Sequence, residues 1–327
     1  MASGITHILL IKNLQQVLPI GKPKRKLAQA RDFLQIGAIA PDLPYASIAD
    51  DDFFLTTESD LADKFHYEKT NELPLKAFQY IYSIKEDITK TELNFMFSFF
   101  IGYISHLIAD GIIHPFVRDK VGDYKQNQTA HRVLEMQLDV LFFEYLTKHS
   151  GKPLNLNYTN IHDELINFDE GVYPEVNSVV KIFSDLINEV YGLSYTSKKI
   201  LGWVKAIHRM FGVAEGDHPA IYRNIGFIKP FLFPDLDELR DKNKDILVLT
   251  KPVDRVENFL KQPKIDFFDD CVPMFYEKFI PVLNKAYKFV YNDGEEITEL
   301  DIKGIDLDTG RDLAVNNDLN EIPLYWS

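Results

Sequence analysis

The apolar stretch at residues 95–116 constrains the fold more than any other part of this sequence. It is long and apolar enough for a membrane-spanning helix, yet it contains His106, Asp110 and His114. Ionisable groups at the centre of a bilayer are costly, and neither a second span nor a basic flank accompanies this stretch. We therefore predict a buried helix of a soluble protein, with a membrane span as the alternative.

Most of the remaining chain is predicted to be helical, because apolar residues recur at about 3.6-residue spacing. The segments with this spacing are 26–39, 73–88, 92–113, 129–146, 177–191, 197–213 and 267–291. Alternating apolar and polar residues at 297–307 favour a short hairpin or edge strand, and much of 216–263 is expected to be irregular. The predicted fold is an all-α multi-helix bundle with a mostly helical C-terminal extension and at most a small β-hairpin.

A polar, irregular stretch at 151–171 separates two predicted parts of the chain. The first, 1–150, is a helical domain that holds most of the unusual polar residues described below. The second, 151–327, is mostly helical, and the sequence assigns no role to it. The sequence also leaves the oligomeric state open.

Charge and cysteine content restrict the partners and the compartment. The 36 Lys and Arg against 49 Asp and Glu give a net charge of −13, which opposes a broad nucleic-acid or anionic-membrane surface. The single cysteine, Cys271, cannot form an internal disulfide, and the chain opens without a secretory signal. We expect a cytoplasmic protein. The one basic cluster, 22–26 (KPKRK), is interpreted as a solvated loop, with a phospholipid or nucleic-acid contact as the alternative.

Two predicted helices carry matched stripes of histidine and carboxylate. Residues four apart on a helix lie roughly 6 Å apart along the axis and about 40° apart around it. The stripes are His106, Asp110 and His114, and His131, Glu135 and Asp139. A lone buried His is usually satisfied by a hydrogen bond, but six such groups favour metal ligation, and imidazole with carboxylate suits Zn²⁺. We expect Asp139 to orient a ligand rather than bind metal.

Each stripe is too long for a single ion. His106 and His114 lie about 12 Å apart along the helix axis, so we expect them on different metals, with Asp110 able to bridge two. Paired metals about 3.5–4 Å apart stabilise the attacking and leaving oxygens of a phosphoester displacement. No G-x-S-x-G elbow, P-loop or dinucleotide fingerprint supports another enzyme class. The pattern therefore predicts a phosphoester hydrolase.

Several short motifs, taken in order, resemble one enzyme family. They are Thr6-His7, the run at 36–43 (IGAIAPDL), His66, the run at 100–110 (FIGYISHLIAD), His114-Pro115 and the run at 131–135 (HRVLE). This ordered combination over roughly 4–146 is similar to the zinc-dependent phospholipase C family, whose relatives include the single-strand-specific zinc nucleases. The resemblance implies that 1–150 is an all-helical metal-binding domain enclosing a site for three zinc ions.

The resemblance also implies which residues surround the first zinc. They are Asp42, His66, His106 and Asp110, with Asp42 either a ligand or the carboxylate that activates water. From the residues alone, a turn or helix-capping role for Asp42 and a surface position for His66 stay open.

The second and third zinc sites follow from the same resemblance. His114, His131 and Glu135 correspond to the ligands of the second zinc, and His7, sharing Asp110, corresponds to part of the third. Secreted family members complete the third site with an N-terminal Trp that follows a cleaved signal peptide, and this chain has neither. We therefore expect two or three zinc ions.

Three functions follow as hypotheses. The first is zinc-dependent hydrolysis of a phosphoester, with phospholipid favoured as substrate and a transient membrane-surface contact. The second is a zinc-dependent nuclease or other phosphodiesterase, and the third is a non-catalytic, metal-stabilised interaction module. Three zinc ions would bring +6 against −3 from Asp42, Asp110 and Glu135, so the site would attract phosphate although the protein is acidic.

Overall fold

The computed structural model describes residues 4–49, 58–149, 168, 171–215, 232–250 and 264–314, and these residues are mainly helical. The elements are α1 (Gly4–Val17), α2 (Lys22–Gln29), α3 (Arg31–Ala38), a 3₁₀ segment (Ala40–Ala49), α4 (Ser59–Tyr67), α5 (Glu72–Ile84), α6 (Lys90–Val121), α7 (Tyr124–His149), α8 (Val176–Tyr191), α9 (Ser197–Glu215), α10 (Leu236–Arg240), α11 (Asn243–Leu247), β1 (Val248–Thr250), β2 (Lys264–Asp266), a π-helical turn (Phe267–Cys271) and α12 (Val272–Asn292). The predicted all-α bundle is confirmed.

Helix α6 is the central element of the bundle. A capping box starts it: the Thr89 hydroxyl accepts the Glu92 N–H, and the Glu92 carboxylate accepts the Thr89 N–H. Around it pack α1, α3, α5, α7, α8 and α12. By length and composition α6 could cross a membrane, but 89% of its most apolar window is buried inside the protein. The apolar stretch is thus a buried core helix, as predicted.

Helices α3 and α6 approach each other closely through two glycines. A Cβ on Gly37 would lie 2.0 Å from the carbonyl oxygen of Phe99, and a Cβ on Gly102 would lie 2.3 Å from that of Leu34. Only the absence of a side chain at both positions permits this backbone contact. It brings the end of α3 against the middle of α6, where His106 lies.

Strand structure in the described residues is a single antiparallel pair, in which Val248 of β1 lies opposite Asp266 of β2. The interval 216–263, expected to be largely irregular, is described only at 232–250, where it forms α10, α11 and β1. The predicted polar stretch at 151–171 lies almost wholly outside the described residues.

The hairpin or edge strand predicted at 297–307 is wrong. These residues form turns, with one isolated bridge between Ile305 and Asp312. Some of their backbone groups bond to side chains: the Ile305 N–H donates to Thr70 Oγ1, and Asn71 Nδ2 donates to the Ile302 carbonyl. Others bond within the next turn, where the Asp306 N–H donates to the Arg311 carbonyl. The alternation arises because single apolar side chains reach the core between exposed residues.

Helices on both sides of residue 150 pack together. The Tyr276 hydroxyl of α12 donates to the carbonyl of Leu10 in α1 and accepts from Asn13 Nδ2. Phe183 of α8 packs edge-on against Tyr103 of α6, with ring centroids 6.0 Å apart. The division of the chain at 150 stays a prediction.

Candidate metal centre

Four histidines converge on the carboxylate of Asp110. This side chain is completely buried, and its oxygens lie 2.9 Å from Nε2 of His106 and 3.1 Å from Nε2 of His7. Nε2 of His66 and Nε2 of His114 each lie 3.4 Å from it. Helices α1, α4 and α6 thus bring their polar side chains to one point in the core.

Asp42 reaches the same point from the 3₁₀ segment that follows α3. Its Oδ1 lies 3.3 Å from Nε2 of His66. Two groups of three buried residues result, and within each group the ligand atoms lie within 4.8 Å of one another. The groups are His7, Asp42 and His106, and His66, His106 and Asp110. The structure places Asp42 and His66 in the core rather than at the capping or surface positions considered above.

Backbone carbonyls orient two of the imidazole rings. Nδ1 of His106 donates to the carbonyl of Ala38 at 2.9 Å, and Nδ1 of His66 donates to that of Ala62 at 2.7 Å. Each bond places a proton on Nδ1 and leaves Nε2, which faces Asp110, as the nitrogen that can bind metal after it releases any proton of its own. Metal-binding histidines are commonly held in this way.

Several buried atoms at this point have no hydrogen-bond partner among the described residues. They are both ring nitrogens of His7, both carboxylate oxygens of Asp42 and of Asp110, Nε2 of His114 and Oε2 of Glu135. Buried polar atoms without a partner are costly, but they suit donors directed at a shared cation. Because the donors are imidazole nitrogens and carboxylate oxygens, the residues present fit zinc.

Histidines and carboxylates at this site favour each other's charged form. Burial opposes a charge on His66, but its contacts with Asp110 and Asp42 raise the pKa of its ring to about 10. Burial also opposes ionisation of Asp42, but the nearby His106 and His66 lower its pKa to about 2. Burial likewise opposes ionisation of Asp110, but the adjacent His106 and His114 keep its pKa well below the usual range. Both carboxylates are therefore held in the ionised form that binds a cation.

The predicted second zinc site, formed by His114, His131 and Glu135, is assembled only in part. Nε2 of His114 lies 3.5 Å from Oε1 of Glu135, and burial raises the pKa of Glu135 to about 8. His131, one turn earlier on α7, donates from Nε2 to the Gly122 carbonyl at 2.7 Å. It belongs to neither of the three-ligand groups found among the described residues. Its Nδ1 is the nitrogen left to bind metal.

A family comparison agrees with this centre. The family model described as zinc dependent phospholipase C matches residues 6–189, more than half of the chain. The chain belongs to the zinc-dependent phospholipase C family. All eight predicted ligands lie within the match, and residues 190–327 lie beyond it. Comparisons with curated proteins and with solved structures gave no match.

Asp139 lies beside the centre of this phospholipase C family member without contacting its histidines. Its Oδ1 accepts the backbone N–H of Thr6 at 2.8 Å and the Thr6 hydroxyl at 2.5 Å. Thr6 is in the first turn of α1, directly before His7, so Asp139 satisfies an otherwise unpaired helix N–H there. We predict that Asp139 positions His7 through the backbone of α1.

Thr6→Val tests this arrangement. Valine keeps the shape of the side chain but removes the hydroxyl donor to Asp139, so we expect about 1 kcal/mol less unfolding free energy and weaker zinc binding at His7. Urea unfolding and zinc titration measure the two effects. Thr147→Val is the control, because that hydroxyl donates to the Phe143 carbonyl on an exposed face of α7. Unchanged stability and zinc affinity in Thr6→Val would contradict the positioning role.

Sequence reasoning missed a C-terminal segment that borders the centre. The Leu307 N–H donates to the carbonyl of His66 at 3.0 Å, and Oδ2 of Asp308 lies 3.5 Å from Nε of the buried Arg118. These contacts join positions about two hundred residues apart or more, so no local pattern could have indicated them. They place a segment from outside the family match against two ligand-bearing helices.

Two tyrosines next to the ligands were also missed. The ring of Tyr45 lies 5.8 Å from that of His66, and its hydroxyl donates to Asp63. The ring of Tyr124 lies edge-on to His131 at 5.3 Å. Their only sequence signal is that Tyr45 follows the 36–43 run and Tyr124 precedes the 131–135 run.

Proposed function

We propose that this protein hydrolyses a phospholipid at a zinc centre built around Asp110. Membership of the zinc-dependent phospholipase C family supports a zinc-dependent phosphoester hydrolase. The observation that carries the proposal is the convergence of four histidine Nε2 atoms within 2.9 to 3.4 Å of one buried carboxylate. Such an arrangement has no evident purpose in a purely structural core, where one carboxylate needs far fewer partners.

The proposed ligand sets are those that the family resemblance implies. The first ion would be held by Asp42, His66, His106 and Asp110, the second by His114, His131 and Glu135, and the third by His7 with Asp110. Zinc supplies a Lewis acid for the phosphoryl oxygens and lowers the pKa of water. Two or three ions are proposed, because His7 and Asp110 alone do not complete the third set.

Asp42 is the proposed catalytic carboxylate. Its Oδ1 lies 3.3 Å from Nε2 of His66, and its Oδ2, which has no hydrogen-bond partner among the described residues, would accept a hydrogen bond from the attacking water. Asp42 would orient this water for in-line attack on phosphorus and receive its proton. The P–O bond to the leaving group breaks on the opposite side, the leaving oxygen takes a proton from solvent, and no covalent intermediate with the protein is needed.

Phospholipid is favoured over nucleic acid as the substrate. The family to which the chain belongs is described by that activity, and a net charge of −13 opposes binding of a polyanionic strand along the surface. A single headgroup requires only the local cationic charge of the metals. A cytoplasmic location remains a prediction.

Hydrolysis assays with zinc-loaded protein test the proposal. We expect turnover of p-nitrophenyl phosphorylcholine, two or three zinc ions per chain by elemental analysis, and loss of activity with a chelator. Turnover of only bis-p-nitrophenyl phosphate or single-stranded DNA would instead assign a phosphodiesterase or nuclease. Background rates on all three substrates, with zinc content and folding intact, would support a metal-stabilised interaction module.

A further inference from the structure

The turn between α1 and α2 presents the most exposed large apolar side chain of the described residues. Ile20 is 92% exposed, and Val17 before it is 42% exposed. The turn, defined here as residues 17–26 and called the basic turn, also contains the KPKRK cluster at 22–26. Lys22 and Arg25 are exposed beside Ile20. An aliphatic tip is thus surrounded by cations.

The sequence that contains the basic turn is basic, although the whole protein is acidic. Residues 1–31 contain six Lys and Arg and no Asp or Glu, whereas the full chain carries −13. The described residues form no ion pair with Lys22 or Arg25. Since the Debye length is about 8 Å at physiological ionic strength, this local positive charge determines what can approach the turn.

The basic turn is held in a defined conformation. Nζ of Lys24 donates to the carbonyl of Leu18 at 3.1 Å and closes the turn. Leu27 is completely buried, and Asn94 of α6 donates to the carbonyl of Lys26 at 3.0 Å. Ile20 is therefore presented to solvent by a fixed scaffold, which lowers the entropic cost of binding through it.

We propose that the basic turn docks on an anionic phospholipid surface. Ile20 would enter the boundary between headgroups and acyl chains, while Lys22 and Arg25 contact lipid phosphates. A basic segment with a protruding aliphatic residue suits this partner, because lipid surfaces offer negative charge and an apolar layer at adjacent depths. A nucleic acid would match the cations but would leave Ile20 in water.

This contact is separate from the metal centre. His7 lies in the first turn of α1 and Ile20 follows its last turn, so the part of the helix from residue 8 to Val17, about 15 Å long, lies between them. The basic turn would hold the protein at a membrane and would not bind the headgroup being cleaved. The inference goes beyond the proposed function and does not rest on it.

Vesicle sedimentation tests the inference with the full-length protein. We expect binding to phosphatidylcholine vesicles containing one third phosphatidylserine, little binding to pure phosphatidylcholine, and release by high salt. Ile20→Ser should weaken binding about tenfold, and Lys22→Ala with Arg25→Ala on the order of thirtyfold. Hydrolysis of p-nitrophenyl phosphorylcholine, a soluble substrate, should be unchanged in both variants.

Matched variants distinguish this surface from general effects. Leu300→Ser removes a leucine that is 90% exposed elsewhere, and Lys198→Ala with Lys205→Ala removes two exposed charges on α9. Neither should alter vesicle binding. The proposal is overturned if the wild-type protein does not bind the anionic vesicles, or if the basic-turn variants bind as tightly as it does. It also fails if the basic-turn variants keep vesicle binding but lose binding of the protein to single-stranded DNA.

Discussion

Asp110→Asn is expected to remove zinc and hydrolytic activity together. Asn keeps the shape of the side chain but has no charge, and its amide N–H₂ would face the ligating nitrogens of the surrounding imidazoles. Replacing a residue that merely supports a metal ligand costs about 10–100-fold in metal affinity or activity. Because Asp110 lies within 3.4 Å of His7, His66, His106 and His114, its loss should cost more than about a hundredfold.

Asp185→Asn is the matched control for this experiment. Asp185 lies on α8, and its ion-pair partner among the described residues is the exposed Lys181. Such pairs contribute little, so activity and zinc content should equal those of the wild type. Circular dichroism of both variants checks that the helices form. Full zinc content in a folded Asp110→Asn protein would contradict the bridging role assigned to this carboxylate.

Gly102→Ala is expected to have the largest effect on stability. The added Cβ would lie 2.3 Å from the Leu34 carbonyl oxygen and 2.7 Å from the backbone nitrogen of Ala38. These atoms belong to the backbone, so they cannot move aside without separating α3 from α6. Overpacking of a core costs about 1–3 kcal/mol, and a clash between two helix backbones should reach at least the upper end.

The same substitution should also weaken zinc binding. Separation of the two helices moves Ala38, whose carbonyl accepts the Nδ1–H of His106. Urea unfolding of the metal-free protein measures stability, and zinc titration measures affinity. Gly21→Ala is the control, because its φ of −176° suits any residue and the nearest atom to its added Cβ is 3.7 Å away. Equal stability of Gly102→Ala and Gly21→Ala would contradict the prediction, because it would show that α3 and α6 can separate at little cost.

The helices were predictable because their signal is local. Apolar spacing at 92–113 lies within α6, which extends it at both ends to Lys90–Val121, since a capping box and a glycine define the termini better than periodicity. The segment at 26–39 was predicted as one helix and forms two, α2 and α3, separated at Ala30. The backbone φ of −124° at Ala30 breaks the helix, and its apolar side chain gives no warning of that.

The site was predictable where its residues share a helix. His106, Asp110 and His114 follow one another at four-residue spacing, which places them on one stripe whatever surrounds the helix. Asp42, His66 and His7 were joined to this stripe only through the family resemblance. Their approach to Asp110 depends on how α1, α4 and the 3₁₀ segment pack. For His131 the spacing matched the pattern, and the structure adds that Nδ1 is the nitrogen left for metal, because Nε2 donates to the Gly122 carbonyl.

The amino-acid sequence by itself determined the helical class, the buried central helix and the identity of the metal-binding residue types, because these depend on periodicity and on the chemistry of single side chains. Only the tertiary structure decided which groups meet at Asp110, that a distant C-terminal segment lies against the His66 carbonyl, and that Ile20 protrudes from a basic turn. Contacts between remote positions arise from packing, which leaves no periodic trace in the chain. Residue spacing along one helix is set by the helix itself.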